Sequence, residues 1–273
     1  AWLSLTLGTQ EVHPVDFVTA WATLANCRHY TGHTAGLAIN GPDGSDLVSP
    51  YTTPTGTQVV SPQAAYIITD ILEGNTDPSV NPFWGAFKLV ASNGTRRPAT
   101  LKTGTNNDAR DLDAYGYIAP PTTAEWQAGQ YALAAGAWNG NSDNSLVSTP
   151  SNPLFSIDVS TYVWQGFMEE ATKAWKVDTF KEPTGIVTAK VDAFSGMKPG
   201  PFTTKTVTEL FIDGTQPTQT DDTKVGVQIE QQTNTLWQDG CFGTPVTKGY
   251  LDVSAFEPSA PATWQAADKA WAA

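Results

Sequence analysis

Lys102-Thr103-Gly104-Thr105 places a cation, two hydroxyls and an unencumbered glycine within four residues. A Lys-Thr-Gly element of this kind is the third of three motifs that build one type of serine acyl-transfer site. In that site a Ser-x-x-Lys supplies nucleophile and base, and a Ser-x-Asn supplies a proton-shuttling hydroxyl and an amide. Both should lie upstream, yet residues 1–101 hold no Ser-x-x-Lys and are read as lacking the Ser-x-Asn element as well. The expectation is a wall of an active site without its nucleophile. Taken alone, the tetrapeptide reads better as an exposed lysine beside a tight turn, and it is the surrounding series that favours the active-site strand.

Other candidates are weaker. Ser142-Asp143-Asn144 and Ser195-Gly196-Met197-Lys198 spell the two absent signatures, but downstream and in reversed order, which no circular permutation repairs. Ser142 follows Asn-Gly and reads as a turn, while Gly196 and Pro199 oppose the helical turn that a Ser-x-x-Lys pair requires. Of His13, His29 and His33 the last two are four apart, but Gly32 sits between them and Cys27 has no paired cysteine at metal-ligand spacing, so no metal is expected. Asp108, Asp111 and Asp113 lack the loop glycine and terminal glutamate of a calcium loop and are read as solvated. The ten tryptophans are read as packing, and Cys27 and Cys241 as neither a disulfide framework nor a metal cluster. No cofactor is implied.

The elements that must position the tetrapeptide follow from patterning. The 273 residues are 40% hydrophobic and only 15% charged, with net charge −12, which fits a folded protein and excludes a nucleic-acid-binding face. No run approaches the roughly 18 apolar residues of a membrane span, and the first residues lack signal-peptide character. A helix is expected from Pro14 through Ala25 with Phe17, Val18, Trp21 and Leu24 on its apolar face. A hairpin or excursion is expected around Gly41–Gly44. A second helix starts at Ser61, presents Ala64, Ile67, Ile68, Ile71 and Leu72, and ends at Gly74. Residues 97–105, 114–118 and 131–138 read as antiparallel strands. A third helix, 162–175, is expected with Ser160 as cap and Val163, Phe167, Ala171 and Ala174 on one face. This order describes an α+β layer domain. Lys181–Gly185 has linker chemistry, and short β segments follow at 186–191, 206–212 and 225–229. The organisation expected is therefore residues 1–182, then a small β-rich module reaching about residue 256, with a tail that is either helical or disordered, in 183–273.

These residues resemble the bifunctional class A penicillin-binding proteins, which polymerise and cross-link peptidoglycan. The resemblance runs through Ser4–Pro14 and Ala20–Asn26, then Lys102–Thr105 with Asp111 and Tyr115-Gly116-Tyr117. It continues with Ala137–Asn141, Trp164–Met168 and Thr206–Thr215. It implies the C-terminal half of a β-lactamase-like transpeptidase domain followed by a small β-rich domain. Asn106 stands where many members have threonine. The family's membrane anchor, glycosyltransferase domain and first part of the transpeptidase domain would precede residue 1. The resemblance further implies that Lys102 tunes proton transfer, that Thr103 and Thr105 bind a substrate or β-lactam carboxylate, and that the Thr105 N–H is an oxyanion donor. Gly104 would keep the strand edge open. Partners would be a peptidoglycan stem peptide, β-lactams and the N-terminal part of the same protein, on the extracytoplasmic face of a bacterial membrane.

Two readings follow: a transpeptidase part, inactive alone, or a non-catalytic extracytoplasmic module that binds cell wall or protein. Under the first, helix Phe17–Ala25 and the strand at Thr100 are expected to expose an apolar face.

Overall fold

The computed structural model describes residues 8, 10–26, 29–36, 38–48, 56–240, 242–252 and 262–272. Cys27 and Cys241 lie outside these, as do residues 4–7 and 258–261. The chain divides into two compact units, Ala1–Thr184 and Gly185–Ala273.

In the first unit, α1 (Pro14–Ala25) begins with Pro14 at its first position, where the missing N–H costs nothing. Two-residue strands β1 (His29–Tyr30), β2 (Ile39–Asn40) and β4 (Thr57–Gln58), with β3 (Asp46–Val48), follow; β1 pairs with β4 and β2 with β3. The second pairing closes over Gly41–Gly44, whose ends are joined by a Gly44 N–H bond to Gly41 O of 3.0 Å. Helix α2 (Pro62–Gly74) is capped by Ser61, whose hydroxyl accepts from Ala64 N–H; this satisfies one of the helix's orphan donors. Strands β5 (Leu89–Val90) and β6 (Arg96–Arg97) pair with each other.

The centre is a three-stranded antiparallel sheet in the order β7 (Lys102–Thr105), β8 (Asp111–Tyr117), β9 (Ala134–Gly140). Period-two alternation gives it two dressed faces. Leu101, Ala114, Ala135 and Ala137 meet Trp164 and Met168 of α4 (Ser160–Thr172) on one face. Tyr115 and Tyr117 meet Trp21 and Ala25 of α1 on the other. The Tyr117 hydroxyl lies 2.6 Å from that of Thr69 in α2. The short helix α3 (Thr123–Gln127), opened by a Thr122/Glu125 capping box, lies between β8 and β9. Small residues are what bring α4 close: a Cβ on Gly116 would lie 2.0 Å from Thr100 O and 2.7 Å from the Trp164 ring. The end of α4 is closed by Arg97, 2% exposed, which donates to the carbonyls of Thr172, Trp175 and Lys176.

Several sequence expectations are corrected. Ser160 is not a cap; Val159 holds that position, and the Ser160 hydroxyl donates to Leu112 O at 2.8 Å. The α4 face holding Val163, Phe167 and Ala171 is exposed, as is Ala174 beyond the helix end. The buried face carries Trp164, Met168 and three hydroxylic residues, Ser160, Thr161 and Thr172. A threonine whose hydroxyl returns to a carbonyl one turn back, as Thr172 does to Met168 O at 2.7 Å, buries like an apolar residue. The same effect misplaces α2, which buries Ala65 and Thr69 while Ile68 and Ile71 are exposed. The expected apolar face of helix Phe17–Ala25 and Thr100 holds only in part: Phe17 is exposed, whereas Trp21, Ala25 and Thr100 are buried within this unit. Exposed apolar surface lies also at Val163 and Phe167, which with Val18 of α1 flank the outer edge of β9.

In the second unit, β10 (Ile186–Asp192) pairs antiparallel with β11 (Thr206–Ile212), and β12 (Lys224–Glu230) with β13 (Pro245–Leu251). Strand β13 has no counterpart among the segments read from sequence. The tail forms α5 (Ala262–Ala272).

Candidate functional site

Strand β7 pairs only with β8 among the described residues, so one edge of Lys102–Thr105 is open. Its two faces differ. Register sets Lys102 opposite Tyr115 and Gly104 opposite Asp113, while Thr103 and Thr105 lie opposite Ala114 and Leu112. Lys102 is exposed, and its ammonium turns back to donate to Thr103 O at 2.8 Å. The site residues read from sequence are thus brought together on one open strand.

The Thr105 side chain points at a residue that sequence reasoning missed. Ser156, 1% exposed, begins a 3₁₀ turn at Ser156–Asp158, held by the Phe155 N–H donating to the Asp158 carboxylate at 2.8 Å. Its hydroxyl is 2.7 Å from the Thr105 hydroxyl, accepts from Asp113 N–H at 3.1 Å and donates to Gly104 O. Its N–H donates to the Thr105 hydroxyl at 3.2 Å. No motif marks Ser156, which is 51 residues from Thr105 in sequence.

Beneath Gly104 lies Asp113. A Cβ at Gly104 would stand 3.6 Å from Asp113 Oδ2. Burial, with the neighbouring Asp111 carboxylate, pushes the Asp113 carboxyl up to about 6. Burial and Asp113 together push the Tyr115 phenol up to about 12. Asp111 has partners: the Trp138 indole N–H donates to it at 3.0 Å and the Asn106 amide at 2.7 Å. A carboxyl whose folded pKa exceeds its unfolded value of about 3.9 holds more protons when folded, so stability falls as pH rises from about 4 to about 6. Asp113→Asn should remove that slope from the melting temperature of this unit. A variant that keeps the wild-type slope would count against Asp113 as its source.

The remaining candidates are turns. Asp143 accepts from Ser145 N–H at 3.0 Å, and Asn144 has a left-handed φ of 58°. Ser195 sits in the turn after β10, where Gly196 has φ 71° and the Ser195 hydroxyl accepts from Met197 N–H. Ser-x-Asn spacing does occur ahead of Lys102, at Ser79-Val80-Asn81, a triplet overlooked in the sequence. There the Ser79 hydroxyl donates to Asp77 at 2.6 Å and Asn81 accepts from Trp84 N–H at 3.1 Å, so both serve a turn. Among the described residues, no group of three or more His, Cys, Asp or Glu could hold a metal, and no helix is long and apolar enough to cross a membrane.

The family described as "Penicillin-binding protein 1A, C-terminal domain" matches residues 182–226. The chain is 28% identical to penicillin-binding protein 2D of Bacillus subtilis over 220 residues, 78% of this chain and 28% of that protein. It is 31% identical to penicillin-binding protein 1A of Clostridium tetani over 173 residues, 62% of this chain and 20% of that protein. In structure it is similar to penicillin-binding protein 1A of Haemophilus influenzae, with TM-score 0.60 and 18% identity, over 80% of this chain and 34% of that one. These likenesses support reading the chain as a C-terminal part of a class A penicillin-binding protein. The chain spans less than a third of the length of the two curated relatives named here.

Proposed function

We propose that this chain supplies the substrate-binding strand of a D-Ala-D-Ala transpeptidase that cross-links peptidoglycan stem peptides by serine acyl transfer and is acylated by β-lactams. The observation that carries this reading is the open edge of Lys102–Thr105, in a chain similar to penicillin-binding proteins. An extended peptide can lie along such an edge by main-chain hydrogen bonds, and Gly104 leaves room for it. Lys102 sets the local charge, Thr103 meets the terminal carboxylate, and the Thr105 N–H is one of two oxyanion donors. Gly104 and Thr105 complete the binding edge.

The nucleophile comes from the N-terminal part of the same polypeptide. Among the described residues β9 pairs on one side alone, and this with the exposed Val163 and Phe167 beside it supports the reading, because they offer that part an apolar seat. Such an enzyme works at the extracytoplasmic face of a bacterial membrane, where its substrate lies.

The test is incubation with a penicillin followed by intact-mass and peptide analysis. The full-length polypeptide should carry one penicilloyl group on a serine upstream of this chain, and this chain alone none. An adduct on Ser142 or Ser195 would overturn the assignment of roles. An unreacted full-length polypeptide would leave the binding-module reading.

A further inference from the structure

The Ser156 hydroxyl sits at one rung of the β7–β8 ladder. Asn106 N–H donates to Asp111 O and Thr100 N–H to Tyr117 O. Hydrogen-bonded pairs alternate in an antiparallel ladder, so Gly104 and Asp113 also form one. The two groups that should face each other across that rung, Asp113 N–H and Gly104 O, both bond to Ser156 Oγ.

With the Ser156 proton on Gly104 O, the proton count sets the direction of the other bonds at this node. A serine hydroxyl has one proton and two lone pairs. Its proton goes to Gly104 O, one lone pair takes Asp113 N–H, and the other takes the Thr105 hydroxyl proton at 2.7 Å. Thr105 Oγ1 in turn accepts from Ser156 N–H. The only hydroxyl proton of Thr105 is therefore directed into the protein. The Thr103 hydroxyl has no hydrogen-bond partner among the described residues.

We propose that Ser156 is a positioning residue for the Lys102–Thr105 edge: it fixes the Gly104 carbonyl and takes the Thr105 hydroxyl proton. The strand's outward-facing amides and the Thr103 hydroxyl are thereby held in place to meet an anionic acyl ligand. This rests on the acyl-transfer reading above. The Thr105 side chain is a strut, and its partner across 51 residues sets where the oxyanion-donating N–H of Thr105 lies. Displacing such a donor weakens transition-state stabilisation without removing any group that touches substrate.

The experiment measures the second-order acylation rate of the full-length polypeptide with a fluorescent penicillin. Ser156→Ala and Thr105→Val should each slow acylation about tenfold, and Ser156→Thr should recover most of the rate. The Ser156→Ala/Thr105→Val double variant should be no slower than either single variant, because both break one node. Wild-type rates in either single variant, or losses that multiply in the double, would overturn the proposal. Melting temperatures report folding, and if Ser156→Ala does not fold, Thr105→Val carries the test alone. A wild-type polypeptide that is not acylated at all would instead sink the acyl-transfer reading, and this proposal with it.

Discussion

Replacing Arg97 with methionine is expected to destabilise the first unit by about 3–5 kcal/mol, since three carbonyl acceptors each lose a charge-assisted hydrogen bond worth about 1.5–3 kcal/mol, offset in part by water. The last carbonyls of a helix have no intrahelical partner, and the negative end of the helix dipole favours a cation there. Arg97 meets both needs for α4, with bonds of 3.0, 2.7 and 2.8 Å to Thr172 O, Trp175 O and Lys176 O. Burial pushes the guanidinium pKa down, with Asp178 opposing, but arginine stays charged. Methionine fills the volume and leaves three carbonyls without donors. Lysine keeps the charge and loses the planar fork, so Arg97→Lys should fall between wild type and methionine. Urea unfolding followed by circular dichroism reads the difference. An Arg97→Met midpoint at the wild-type value would show that water satisfies these carbonyls equally well. Because α4 backs the sheet that ends in Lys102–Thr105, its loosening would reach the candidate site.

How much of this was legible in the sequence depends on the range of the interactions. Pro14 and Ser61 mark helix starts through local backbone chemistry, and both helices begin there. The three strands of the sheet were visible because Lys102–Thr105, Tyr115–Tyr117 and Ala134–Trp138 carry β-compatible residues between turn signals. Arg97 looked like a strand residue, and nothing nearby announces that it reaches α4 some 75 residues on. Ser156 likewise acts on Gly104 and Thr105 through tertiary contacts without a spacing signature. The two misread helix faces share a cause: apolar periodicity counts Thr69, Thr161 and Thr172 as polar, whereas hydroxyls bonded to carbonyls one turn back are buried. Strand β13 was missed because Pro245, Lys248 and Gly249 dilute its pattern.

Lys224→Met should destabilise the second unit by about 3–5 kcal/mol at neutral pH, since it strands two buried carboxylates against each other. The Lys224 ammonium is 2.8 Å from both Asp192 Oδ2 and Asp221 Oδ2, whose side chains are 2% and 1% exposed. These contacts tie the end of β10 to the start of β12, two strands in separate pairings. The excess negative charge is met by Phe194 and Ser195 N–H on Asp192 and by the Thr223 hydroxyl on Asp221. Burial alone would raise both carboxyls, but Lys224 and these donors outweigh it and hold them below the usual range. Burial would likewise lower Lys224, and the two carboxylates raise it instead. The signs give opposite acid responses in the two proteins. In the wild type the folded carboxyls bind fewer protons than the unfolded ones, so stability is full above about pH 5 and falls as pH drops below about 4. The lysine contribution is lost only above about pH 10. Without the ammonium, burial and mutual repulsion dominate, the carboxyl pKa values rise, and acid becomes stabilising. The Lys224→Met melting temperature should therefore increase between pH 7 and about pH 4, where the wild type's is flat or declining. A variant that melts like wild type at neutral pH, or that declines with it in acid, would show that the two carboxylates are held by their amide and hydroxyl donors and not by Lys224.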